Sequence, residues 1–120
     1  MTKLTHYAAI VAFQTKDGSE IRELMHPSRH GNRAQSLAEA RIKPGEQTAL
    51  HRHRKSEELY HVTAGEGVMT LDGEQFPVRP GDSIAIAPGA SHCVHNTGGE
   101  TLVILCCCSP PYAHDDTELL

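Results

Sequence analysis

The chain has 120 residues, enough for one domain around one core, so residues 1–120 are read as a single unit. Its net charge is −4 with histidines neutral, and the local basic cluster Arg52, Arg54 and Lys55 reads as a solvated face, which argues against nucleic acid as a partner. No apolar run approaches the roughly 20 residues of a membrane helix, and Met1-Thr-Lys-Leu-Thr-His carries no secretion signal; the expectation is a cytoplasmic protein with no membrane contact.

Short apolar segments separated by turn residues predict an all-β domain. In chain order the expected strands are Tyr7–Phe13, Glu20–Met25, Ser36–Lys43, Ala49–His53, Glu58–Thr63, Gly67–Leu71, Gln75–Val78, Ser83–Ala87, His92–Asn96 and Thr101–Cys108. Pro27–Arg33 reads as an irregular loop. Residues 34–41 have helix-forming composition, yet they sit just before the Pro44-Gly45 turn and are assigned to strand. Asp72-Gly73 between two apolar runs is the clearest hairpin. The tail beyond Pro110-Pro111 cannot continue the preceding strand and is read as a packing arm.

The chemistry concentrates in two stretches. His51 and His53, two apart, point to one face of a strand because strand side chains alternate. A carboxylate five residues beyond His53 can return on the next strand to meet them, and His92, on a distant strand, completes three imidazoles and one carboxylate. Such a set suits one divalent transition metal, Mn, Fe, Co, Ni or Zn.

The same residues carry a resemblance. Gly45, His51, His53, Glu58 and Gly65 meet the first cupin motif, G-x5-H-x-H-x3,4-E-x6-G, across residues 45–65. Glu57 satisfies the shorter histidine-to-glutamate gap, but only Glu58 leaves six residues before Gly65. Gly81, Gly89, His92 and Asn96 match the second motif, G-x5-P-x-G-x2-H-x3-N, across residues 81–96. Its proline is displaced: Ala87 stands at that position and Pro88 follows. The chain thus resembles a small single-domain cupin. The resemblance implies a jelly-roll (double-stranded β-helix) barrel with His51, His53, Glu58 and His92 on the metal. It implies no single reaction, since cupins include oxygenases, isomerases, epimerases, decarboxylases, lyases and non-catalytic binders. The tail resembles those of small cupins grouped with mannose-6-phosphate isomerase.

Tyr60, two residues after Glu58, shares its face and is the candidate catalytic residue, as a hydrogen-bond donor or acid; the alternative is a barrel-filling aromatic. His61 and His95 are expected to face outward. His6, His26, His30 and His114 are read as solvated. Glu39, Arg41 and Gln75 are further polar candidates for the cavity, with their facing unassigned. Cys106 and Cys108 share one strand face and Cys107 the other; with Cys93 they are read as free thiols. Ile84, Ile86, Val94, Leu102 and Ile104 are the expected core.

The leading functional expectation is a metal-dependent enzyme acting on a small oxygen-rich metabolite by isomerisation or oxygenation. The alternative is a cupin that binds or senses a small molecule without turnover; a metal-stabilised structural domain ranks last. Edge strands need cover, and a homodimer burying more than about 1,000 Å² is expected.

Overall fold

Glycine and proline turns cut the chain into short strands, and the computed structural model, which describes residues 3–120, arranges them in two antiparallel sheets. The strands are β1 (Phe13–Gln14), β2 (Glu20–Met25), β3 (Ser36–Ile42), β4 (His51–His53), β5 (Glu57–Ala64), β6 (Gly67–Leu71), β7 (Glu74–Val78), β8 (Ser83–Ile86), β9 (His92–Asn96), β10 (Leu102–Ser109) and β11 (Thr117–Leu119). One sheet runs β1-β2-β3-β10-β5-β8 and the other β11-β4-β9-β6-β7. This is an all-β jelly roll of the cupin type. Among the described residues no helix is long and apolar enough to cross a membrane.

Local chemistry accounts for the turns that set the register. Asp72 and Gly73 both take positive φ, 47° and 83°, the conformation of the tight hairpin expected between β6 and β7. Pro77 is tolerated because β7 lies at a sheet edge. Gly65 has φ 77°, and a Cβ there would lie 2.6 Å from the Thr101 carbonyl oxygen, so nothing larger fits between β5 and β10.

Away from the histidines the interior between the sheets is apolar. Ile84, Ile86, Val94, Leu102 and Ile104 are all buried, joined by Ile42, Val62, Met69 and Val78. The last residue of the second motif, Asn96, is a clasp within this core. Its Nδ2 donates to the Ile42 carbonyl at 2.9 Å and the Glu100 carbonyl at 2.7 Å, while its Oδ1 accepts from Gly98 N at 2.9 Å.

Three expectations need correction. Tyr7–Phe13 is not a strand: Tyr7–Ala9 forms a 3-10 turn and only Phe13–Gln14 pairs. Side chains rather than backbone hold the turn to the sheet, with the Tyr7 hydroxyl donating to Glu39 Oε1 at 2.6 Å and the Arg22 guanidinium over its ring. Pro27–His30 is one helical turn, started by Pro27 and a His26 cap and ended by Gly31 at φ 79°. The tail is indeed an arm, but it contains β11, which pairs with β4 (Thr117 opposite His53).

Asn96→Ala leaves the buried Ile42 carbonyl and the part-buried Glu100 carbonyl without this donor, and the expected loss is about 1–3 kcal/mol of stability. A urea titration followed by circular dichroism reads it; an unchanged midpoint would remove the clasp.

Candidate metal centre

Cross-strand pairing assembles the site. His51 on β4 lies directly opposite His92 on β9. Between β4 and β5 the chain crosses from one sheet to the other, and Asp116 steadies the crossing by accepting from Lys55 N and Ser56 N. That crossing brings Glu58 over the histidines. Alternation along β5 then buries Glu58 and Tyr60 and exposes Glu57, Leu59 and His61.

The imidazole rings pack closely, with centroids 4.2 Å apart for His51 and His92, 5.2 Å for His51 and His53, and 5.4 Å for His53 and His92. All three are buried, and their ligating nitrogens lie within 4.8 Å of one another, so they could hold a metal ion. Glu58 Oε1 is 3.1 Å from His53 Nε2 and 3.4 Å from His92 Nε2. Its other oxygen accepts from the Cys108 thiol at 3.2 Å.

The outer nitrogens are each committed. His51 Nδ1 donates to the Ala49 carbonyl at 2.7 Å and His92 Nδ1 to the Ala90 carbonyl at 2.9 Å, since a carbonyl only accepts. His53 Nδ1 lies 3.0 Å from Thr117 Oγ1, which itself donates to the Ala113 carbonyl, so the imidazole is the donor here too. Each neutral ring therefore turns a bare Nε2 inward. His92 Nε2 is fully buried without a hydrogen-bond partner, and two acceptors 3.1 Å apart at His53 and Glu58 call for a shared proton or a cation.

Electrostatics point the same way. Burial, then the neighbouring His92, lowers the His51 pKa and favours its neutral, ligating form. Burial works to raise the Glu58 carboxyl, but positive charge at the Nε2 atoms of His53 and His92, a shared proton or a cation, outweighs it and holds the group at about 2. Burial, with the Glu58 charge adding, pushes Tyr60, Cys106 and Cys108 well above their ordinary ranges.

Beside the histidines lies a cavity with about 50 Å³ open to the centre of a water-sized molecule. Tyr60, Cys106 and Cys108 line it. Cys106 sits opposite Tyr60 and Cys108 opposite Glu58 across the β10–β5 ladder, while Cys107 faces outward. Among the lining residues not singled out in the sequence are Asp17, Glu23, Tyr112 and Thr117. Asp17 lies in the turn-forming stretch Lys16-Asp17-Gly18, and the tail residues carry no site motif. Glu39 and Arg41 bind Tyr7 away from the cavity, and Gln75 is exposed. His61 is exposed and bonds Ser83, and His95 is half-buried. His26 is not simply solvated: it is mostly buried, contacts the Tyr112 carbonyl at 2.7 Å and lies 3.6 Å from Glu23.

A buried histidine cluster inside an antiparallel jelly roll defines a class of small barrel proteins with an internal site. Residues 38–108 match the cupin domain family, and the chain belongs to it. The uncharacterized protein MJ1618 of Methanocaldococcus jannaschii is 51% identical over 116 residues, 97% of this chain and 93% of its own. The oxalate-binding protein of Thermotoga maritima is 34% identical over 84 residues, 70% of this chain and 65% of its own. A crystal structure of a predicted oxalate decarboxylase from Thermotoga maritima matches with TM-score 0.78 at 26% identity, covering 89% of this chain and 98% of that one.

The raised thiols give a reactivity test. At about pH 8.5, where an ordinary thiol is half ionised, Cys106 and Cys108 should resist iodoacetamide in the native protein and react once urea unfolds it. Peptide mapping by mass spectrometry measures this. Native labelling as fast as in urea would mean the cavity wall opens.

Proposed function

We propose that the protein is an enzyme that holds one divalent transition metal on His51, His53, Glu58 and His92 and acts on a small oxygen-rich metabolite. The observation that carries this reading is the set of bare Nε2 atoms turned toward one another and toward Glu58, with His92 Nε2 buried and unpartnered. Carbonyl and hydroxyl partners on every Nδ1 fix the tautomer that a ligating histidine requires. A divalent ion there would supply Lewis acidity toward substrate oxygens. Mn, Co, Ni or Zn suits isomerisation by proton transfer, and Fe suits oxygenation.

The chain's own residues have separable tasks. Glu58 supplies negative charge and is held in place through its second oxygen by Cys108. Tyr60, kept protonated by burial, is a hydrogen-bond donor toward a bound molecule rather than a base. Its ring stands edge-on to His92 with centroids 5.9 Å apart. Burial keeps the thiols and the phenol of the wall uncharged and limits water around them. A second reading, binding without turnover, is favoured by the likeness to a protein named for oxalate binding; turnover of any bound hydroxycarbonyl separates the two.

Alanine at His51, His53, Glu58 or His92 should each cut metal content sharply in untagged protein analysed by mass spectrometry, whereas His61→Ala and His95→Ala should not. Tyr60→Phe should keep the metal and weaken small-ligand binding by about 1 kcal/mol. Full metal in the Glu58→Ala and His92→Ala proteins would end this assignment.

We also propose a homodimer in the cytoplasm. The outer face of the larger sheet carries Leu37, Leu59, Leu105, Ala85 and Cys107 around one shallow apolar depression. Leu37 and Leu59 are 38% and 49% exposed, an arrangement that a second copy would cover. Light scattering should return twice 13.1 kDa for the wild type and a monomer for Leu59→Arg. A wild-type monomer at micromolar concentration would discard the dimer.

A further inference from the structure

The cavity wall has an uneven charge. Three carboxylates line it, Asp17, Glu23 and Glu58, and neither lysine nor arginine does. A divalent ion on the histidines would offset two of these charges, and Glu23 has His26 3.6 Å away, so nothing in the lining is left over to attract an anion. No cationic side chain in the lining waits for a phosphate or a second carboxylate.

Asp17 is the carboxylate built for contact. It lies in the turn between β1 and β2, and its backbone carbonyl accepts from Ala49 N at 2.8 Å, which ties the turn to the segment that leads into His51. Its Oδ1 accepts three hydrogen bonds, from Thr15 Oγ1 at 2.7 Å, Ser19 N at 2.9 Å and Ser19 Oγ at 2.7 Å. Its Oδ2 takes none of these and stands 3.6 Å from His51 Nε2. One oxygen is saturated and fixes the group; the other faces the histidines with its lone pairs unused. The side chain is only 13% exposed, so water competes weakly for that oxygen.

We propose that this cavity selects an uncharged, hydroxyl-bearing molecule, such as a short α-hydroxyketone or vicinal diol, and turns away dianions, with Asp17 the specificity-determining residue that accepts the ligand's hydroxyl proton in a hydrogen bond. This rests on the metal-site reading above and narrows its substrate class. The physical reason is twofold. A hydroxyl donor gains a charge-assisted bond at Oδ2. A dianion entering the same partly buried space meets Asp17, Glu23 and Glu58 with less screening than in water. The cavity size restricts the ligand to a few heavy atoms.

The test uses the full chain loaded with manganese, titrated calorimetrically with hydroxyacetone and separately with oxalate, with manganese content measured after each titration. Wild type should bind hydroxyacetone and bind oxalate at least about tenfold more weakly, a difference the size of one charge-assisted contact. Asp17→Asn should retain its manganese, lose about tenfold in hydroxyacetone affinity and gain in oxalate affinity, reversing or flattening the preference. Wild type that prefers oxalate overturns the inference whether or not the variant folds. An unchanged ratio in manganese-loaded Asp17→Asn overturns the role of Asp17. Loaded wild type that binds neither probe rejects the reading of a metal centre that acts on a small metabolite and this inference with it, whereas oxalate preference leaves that reading standing.

Discussion

Cross-strand register is the constraint on which the whole site depends. His51 faces His92, His53 faces Thr117, Glu58 faces Cys108 and Tyr60 faces Cys106. Side chains alternate along a strand, so a slip of one residue would exchange every inward group for an outward one. On β5 such a slip would present Glu57, Leu59 and His61 to the interior in place of Glu58, Tyr60 and Val62. The features that resist it lie away from the histidines. Gly65 permits an approach between chain segments that any side chain would block, and Asn96 ties β9 to the end of β3 and to the turn leading into β10. The motif positions that bind nothing therefore matter because they hold the others in phase.

The interior is graded along single strands. On β10, Leu102 and Ile104 belong to the hydrocarbon core, while Cys106 and Cys108, further along the same face, line the cavity. Cysteine suits the boundary. It is small enough to leave space where leucine would fill it, apolar enough to bury, and still able to donate weakly to a carboxylate. The run of three cysteines is thus two inward thiols with different neighbours and one outward thiol, rather than a redox motif. The same grading runs along β5, where Val62 is core, Tyr60 belongs to the core and the cavity wall alike, and Glu58 is site.

Much of this was legible in the sequence because the relevant signals were local. Alternation and turn chemistry gave nine of the ten expected strands within a residue or two, the exception being Tyr7–Phe13. The choice between Glu57 and Glu58 needed only an interval to Gly65, and the structure exposes the first and buries the second. What stayed hidden was whatever depended on distant segments meeting. Thr117 reads as an ordinary polar residue in a tail, yet it is the acceptor for His53 Nδ1. Asp17 reads as a turn former, which it also is, because the same carboxylate oxygen that shapes the turn leaves its twin facing the cavity. Tyr112 follows two prolines and carried no periodic signal at all. A residue with one local and one remote role shows only the local one in its neighbours.

Thr117 stands 64 positions from His53, and Asp17 and His51 come from opposite sheets. The pocket is consequently a property of the complete tertiary structure and not of any hairpin within it. Contacts of such long sequence separation form late, after loop closure has been accomplished elsewhere. A growing chain would expose its histidines well before Thr117 could orient His53, so the close cluster of three imidazoles takes its final geometry only when the last strand docks.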